Sequence, residues 1–550
     1  MPRNKTWTFL ATAALWAVPV QAGPTASFDH MDYAGDAASA APGSFANPVL
    51  PGFHPDPSIV KVGEVFYLTT STFGWFPGLP VFHSRDLVNW RQIGNAIDRA
   101  AMVDLSNVRL TGDGLYAPAI TYHEGTFYIL NTCVRCDGNF LISAADPAGP
   151  WSTPVRLDFD GIDPSLFVDD DGRGWITYND APVGEPRYDG HRAIWIRQFD
   201  LAARKLVGEP QVLVDGGVDP AANPVWAEGP HIYKVDGWYY LLAAEGGTAE
   251  QHSQTIYRSR SITGPFQAGP VNPILTQRDL PADRPDRVEA TGHADLVQLD
   301  DGSWWGVFLG TRPYAGQETL MGRETFLLPL VWHDGWPQFL ERGQAVPLTA
   351  KRPALPATPG DDFTAWRDDF AHSSLGPQWL RMRGIPEVQN LALGDGALHM
   401  IAGPQALSDR AMPAFIGQRL RHHRASMSTS LAFAPAQPGD FAGLAAVASE
   451  EAFVVFGLLG SDAGPRLAVL RREGENAPAD GTVVASREWS GGEVELRIEI
   501  DADKARFSYR APGSTRWQVL AEAVDVGHLA SVRTNLFTGT VIGAYAYSPG

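Results

Sequence analysis

Five stretches of this chain repeat one plan, and no other feature restricts its fold so severely. Each opens on a small or acidic residue, runs into an apolar strand, meets a turn and restarts as an aromatic strand. They read DPSIVKVGEVFYLTT from Asp56, APAITYHEGTFYIL from Ala117, DPSLFVDDDGRGWITY from Asp163, EGPHIYKVDGWYYLL from Glu228 and HADLVQLDDGSWWGVFL from His293. The turns Val62-Gly63, Glu124-Gly125, Asp171-Gly172, Asp236-Gly237 and Asp301-Gly302 have hairpin chemistry, with glycine free to take the positive φ that tight turns need. The starts lie roughly 45–65 residues apart, room for one four-stranded sheet and its loops per repeat. The spacing therefore predicts an all-β fold whose N-terminal part, 45–345, is a five-bladed β-propeller. A two-sheet sandwich would also alternate, but it gives no reason for five recurrences of one signature.

In a propeller the first strand of every blade lines the central channel, and its leading residue sits at the channel mouth. Those positions hold Asp56, Ala117, Asp163, Glu228 and His293. Glu228 is one residue out of step, since aligning Pro-His-Ile with Pro-Ser-Ile puts Gly229 in register. Three carboxylates and a histidine are thus expected to meet from separate blades. One acid at a strand end is ordinarily just solvated, but three at one repeat position are not explained that way. Converging carboxylates without Cys/His ligand clusters suit acid–base hydrolysis. Glycoside cleavage needs one carboxylic acid to protonate the leaving oxygen and one carboxylate to activate water or attack carbon. A third acid can hold the proton donor's pKa up by like-charge repulsion. Neither a GxSxG elbow nor a P-loop occurs.

The remaining chain differs in kind. AVPLTAKRPALPATPG reads as a semi-extended linker, placed at 346–361. Beyond it, SMSTSLAF, EAFVVFGLL, RLAVLRRE, VELRIEID, ARFSYRA and IGAYAYS alternate as antiparallel strands do. A β-sandwich over 362–550 is expected, accessory in role because it has no acid constellation of its own. The 56 Gly and 43 Pro suit such a turn-rich β protein.

At the N-terminus, Arg3 and Lys5 precede a mostly apolar run from Trp7 to Val20, and Val20-Gln21-Ala22 offers small residues for cleavage. Residues 1–22 are expected to be a signal peptide, making the protein exported, either periplasmic or secreted, with no membrane anchor. A net charge of -19 disfavours nucleic acid as a partner. The two cysteines, Cys133 and Cys136, admit a redox pair, half a zinc site, or a structural disulfide. Zinc lacks further soft ligands, and a redox motif should open a helix where here strands flank it. A structural disulfide or two unreactive thiols remain. The sequence assigns no oligomeric state.

The segments NPVLPGFHPDPS, STFGWFPGLPVFHSRDLVNW, IDPSLFVDDDG, WAEGPHIYK and GRETFLLPLVW resemble family 43 glycoside hydrolases across about 45–345. The tail from about 362 is similar to the concanavalin-like sandwich attached to many β-xylosidase members. The resemblance implies an inverting exo-glycosidase on a five-bladed propeller, acting on xylo- or arabinoxylo-oligosaccharides. It removes terminal β-D-xylosyl residues or, in the alternative, mainly α-L-arabinofuranosyl residues. It implies Asp56 as general base, Glu228 as general acid and Asp163 as the acid that tunes and orients Glu228. It further implies that Trp75, Phe76, Tyr116, His293 and Arg312 bind substrate. Tyr116 stands where many members carry tryptophan, a smaller stacking surface. For Trp75 and Phe76 the competing reading is core packing, and for Arg312 and Arg323 it is a buried salt bridge. No cofactor is required, although His293 resembles a channel histidine that sits near a calcium or a water cluster in some members. A non-catalytic sugar-binding propeller would be favoured had one of the three acids been replaced, and none is.

Overall fold

The computed structural model describes residues 23–36, 40–386, 390–535 and 537–550. The signal-peptide expectation for 1–22 lies outside them.

Five antiparallel sheets follow one another along the chain. The first joins Ser58–Val62, Val65–Thr69, Gly78–Ser84 and Arg91–Ile97. The second, third, fourth and fifth begin with Gly114–His123, Ile162–Val168, Glu228–Val235 and Glu289–Gln298. Each is a meander whose first strand is followed by its hairpin partner, as the repeats require. Turn chemistry explains the pairing register. Glu124 and Gly125 have φ of 45° and 82°, and Asp236 and Gly237 have 50° and 72°, the double positive φ of a two-residue hairpin turn that matches strand twist. In the first sheet Val62 pairs with Val65, so its turn residues are Gly63 and Glu64. That is one place later than the dipeptide read from the sequence.

The five first strands contact one another in a closed ring, the fifth returning to the first. Short polar side chains tie the ring where strands converge. Ser58 Oγ donates to Asp295 Oδ2 at 2.7 Å and accepts from Ile120 N at 3.0 Å, while Thr121 Oγ1 donates to Leu166 O at 2.9 Å. Closure is secured by the segment before the first sheet. Asn47 exchanges two 3.0 Å hydrogen bonds with the backbone of Leu327 in the strand Glu324–His333. This is a β-propeller.

The C-terminal part is a sandwich. One sheet includes Arg424–Ala432, Glu493–Asp501, Lys504–Arg510 and Gln518–Asp525. The other includes Phe441–Ser449, Ala452–Leu459, Arg466–Glu473 and Val541–Tyr547. Strict alternation along Arg424–Ala432 and Glu493–Asp501 sends Ala425, Met427, Leu431, Val494, Leu496 and Ile498 into the core between the sheets. Two strands of this domain come from the far end of the chain. Thr25–Phe28 lies between Ala397–Ile401 and Arg424–Ala432, and Met31–Gly35 pairs with both Arg424–Ala432 and Ala365–Asp368. The sequence reading left these residues unassigned. The Pro/Ala stretch is also anchored. Thr349–Lys351 pairs with Ser44–Ala46, and the buried Asp86 accepts from Arg352 Nη2 and Thr358 N, each at 2.8 Å. Cys133 and Cys136 form a disulfide at the turn between Thr126–Val134 and Gly138–Ala144.

Candidate active site

The channel mouth is built by a backbone device that recurs at the repeat's leading position. Asp56, Asp163, Gly229 and His293 have φ of 52°, 54°, 56° and 53°. Only a few per cent of non-glycine residues have positive φ, and such conformations persist where surrounding structure enforces them. Beside three of them the pairing with the next strand slips by a bulge, between Ile162 and Ser165, Glu228 and His231, and Gly292 and Asp295. A bulge re-aims a side chain, here towards the channel. The one-residue offset of Glu228 now has a cause. A Cβ on Gly229 would meet His293 Nε2 at 2.7 Å, so the repeat position in that sheet has room only for glycine, and the acid precedes it.

The three acids are buried together. Asp56 Oδ2 accepts from Ser71 Oγ at 2.6 Å, and Arg323 Nη1 lies 3.8 Å from Asp56 Oδ1. Arg323 is itself held by donating from Nη2 to Thr248 O at 2.8 Å. Asp163 Oδ2 accepts from Gly229 N at 3.1 Å and faces His293 Nε2 at 3.6 Å. Burial pushes the Glu228 carboxyl up, and the Asp163 charge pushes it further. His293 and Arg323 pull back only in part, leaving it raised to about 8. Burial alone would discharge His293, but its contact with Asp163 and the charge of Asp56 prevail and raise it to about 9. At neutral pH Glu228 is thus a carboxylic acid able to give up a proton, with the His293 and Arg323 cations beside it.

Tyr116 joins this group. Its ring meets Phe73 edge-on at 5.0 Å, and burial followed by the charges of Asp113, Asp56 and Asp163 raises its pKa. Phe537, from the sandwich, completes the wall. It stacks on Phe73 at 5.6 Å, lies 6.0 Å from Tyr116 and sits under the Arg323 guanidinium at 4.9 Å. The accessory domain therefore contributes to the site.

Two expectations are corrected. Trp75 and Phe76 do not line the pocket. Trp75 is fully buried between Phe53 and Phe415 and pairs with Met382 of the C-terminal part, while Phe76 packs in the core between the first two sheets. Arg312 does not reach the acids either. Its Nε and Nη2 grip Glu324 at 2.7 and 2.8 Å, and Nη2 also reaches Arg421 O at 3.3 Å. The arginine at the acids is Arg323. Arg323, just before the strand Glu324–His333, lies beside Asp56, while the next residue, Glu324, holds Arg312. A calcium shell does not fit the donors around His293. Calcium takes several oxygen ligands, and no group of three His, Cys, Asp or Glu among the described residues could hold a metal.

Residues 45–337 match the family described as "Glycosyl hydrolases family 43", and residues 367–550 match "Beta xylosidase C-terminal Concanavalin A-like domain". A xylosidase/arabinosidase of Butyrivibrio fibrisolvens is 35% identical, with 92% of this chain and 96% of that one covered. A non-reducing end α-L-arabinofuranosidase of Bacteroides ovatus is 36% identical, with 93% of each covered. The crystal structure of a GH43_12 protein retrieved from a capybara gut metagenome superposes with a TM-score of 0.88 at 34% identity, covering 95% of this chain and 100% of that one. The two models match the propeller and the sandwich in turn, the relatives match along nearly all of their length, and the chain belongs to family 43 of the glycoside hydrolases.

Proposed function

We propose that the protein is an exported, inverting exo-glycosidase that removes terminal β-D-xylosyl residues from xylo-oligosaccharides, its five sheets being the blades of one five-bladed propeller. The observation that carries this reading is the burial of Glu228 together with Asp56 and Asp163, drawn from other sheets, an enclosure that pushes the Glu228 carboxyl up. In one displacement Asp56 takes a proton from water as the water oxygen bonds to the anomeric carbon. Glu228 gives its proton to the glycosidic oxygen as the old C–O bond breaks, and the leaving sugar departs neutral. Asp163 keeps Glu228 protonated and, through Gly229 N, holds its backbone in place. Export is supported by the Cys133–Cys136 disulfide, a bond at home in oxidising compartments.

α-L-Arabinofuranosidase activity is the second reading, favoured by the names of the two relatives above. Turnover of nitrophenyl β-xyloside and nitrophenyl α-L-arabinofuranoside by the purified protein ranks the two. NMR of first-formed xylose should show the α-anomer, and a β-anomer would replace the single displacement with a covalent route.

Asp163→Asn tests the tuning role. Removing the negative charge lowers the pKa of Glu228, so the limb on which Glu228 must stay protonated moves to lower pH and kcat falls. An upper limb that stays put would deny Asp163 this part. Phe537→Ala should raise KM roughly three- to tenfold, equivalent to about 0.7–1.4 kcal/mol for a lost aromatic face, with kcat less affected. An unchanged KM would mean that Phe537 braces the site without touching sugar.

A further inference from the structure

The seam between propeller and sandwich contains a surplus of buried positive charge. Arg419, Arg421 and Arg312 meet there, and the one buried carboxylate at hand, Glu324, is taken by Arg312. Arg419 is 3% and Arg421 7% exposed. Arg419 donates from Nε to Phe53 O at 2.8 Å, and its Nη2 has no partner among the described residues. Arg421 donates from Nη2 to Gln418 Oε1 at 3.3 Å, and its Nε has none. The acids that face Arg421 from the linker, Asp361 and Asp362, are exposed, so their charges reach it screened by solvent and from other hydrogen bonds. Asp361 accepts from Gln92 N at 2.9 Å and lies 3.6 Å from Arg91, and Asp362 accepts from Thr364. His54, fully enclosed beside both guanidiniums, is pushed well below its ordinary pKa, by burial first and then by those two charges. It therefore adds no charge of its own.

Taking a guanidinium out of water costs several kcal/mol unless a counter-charge replaces the solvent. Two like charges in one low-dielectric place cost more. A buried water could satisfy the vacant N–H groups, but it brings no charge. Arg419 ends Ala414–Arg419, and Arg421 follows two residues later. A Cβ on Gly52 would meet Leu420 O at 2.8 Å, Arg421 Cγ at 3.2 Å and Arg419 Cβ at 3.3 Å. Both arginines thus flank the backbone of Gly52.

We propose that Arg419 and Arg421 bind a small monovalent anion of the halide class between the propeller and the sandwich, behind the segment Gly52–Asp56. Such an ion offsets one of the two charges, relieves their mutual repulsion and ties the sandwich to the backbone that carries Asp56. The ion is small because both arginines are almost wholly enclosed, which leaves no path for a sugar acid or a phosphate ester.

Thermal unfolding of the full chain in sodium chloride and in sodium gluconate, at equal ionic strength, tests this by separating binding from screening. A ligand that binds only the folded state raises its stability in a saturable way. The midpoint should be a few degrees higher in chloride and level off, and Arg421→Gln should lose the difference. Crystals of the unaltered protein soaked in bromide should show an anomalous peak between the two guanidiniums, a result that stands even if the variant does not fold. Equal midpoints in chloride and gluconate, a halide response that survives in Arg421→Gln, or no bromide peak at the pair would each overturn the proposal.

Discussion

Asp56→Asn should leave a folded protein whose turnover is lower by roughly the 10²–10⁴-fold attributed to acid–base catalysis. The amide has the shape of the carboxylate, and its oxygen can still accept from Ser71 Oγ, which stands 2.6 Å from Asp56 Oδ2 in the native protein. What it cannot do is take a proton from water. Arg323, 3.8 Å from Asp56 Oδ1, would lose a charge partner but keep its hydrogen bond to Thr248 O. The loss should therefore fall on kcat and leave the unfolding midpoint close to that of the unaltered protein. Steady-state kinetics with a nitrophenyl glycoside, beside a thermal melt, measure both. A kcat within about threefold of the native value would remove Asp56 from the role of base.

Glu228→Gln should show a loss that depends on the leaving group. Glu228 is raised to about 8 by burial and by Asp163, so it carries its proton below that pH and surrenders it as pH rises through it. Glutamine keeps the volume but has no acidic proton. Xylo-oligosaccharides, whose departing alkoxide needs protonation, should lose roughly 10²–10⁴-fold in kcat/KM. An aryl glycoside with an acidic phenol should lose far less, and its rate should no longer fall as pH passes about 8. Equal losses over a series of phenols of graded acidity would count against Glu228 as the donor.

How far the site could be read from the sequence depended on how local its determinants are. That the three acids come together was legible because the leading position recurs with its own turn and strand signature. The turns were legible for the same reason, with a slip of one residue at Gly63-Glu64, where glycine takes the first turn position and not the second. Trp75 was misplaced because Gly-Trp-Phe-Pro-Gly suits a pocket wall or a core equally well, and its packing partners Met382 and Phe415 lie more than 300 residues away. Arg312 follows the strand Trp304–Thr311 and Arg323 precedes the strand Glu324–His333, and which of the two reaches the acids depends on how those ends are placed, which a single row of letters does not show. Phe537 carries no local signal, for it reaches the acids only because the sandwich is seated against the propeller.

The pairing of Thr25–Gly35 inside the sandwich makes the propeller topologically an insert. From residue 23 the described chain runs through one domain, leaves it to build another, and returns to finish the first. No single cut separates two self-contained pieces. A fragment ending near residue 345 would carry an orphaned pair of strands, and one beginning near 362 would lack strands from the middle of its sheet. Synthesis meets the same constraint. At about 5–20 residues per second, Thr25–Phe28 waits on the order of 20–80 s for the hundreds of residues that precede its partners. Fusion, truncation and domain-exchange designs for this architecture therefore have to treat residues 23–35 and the sandwich as one unit.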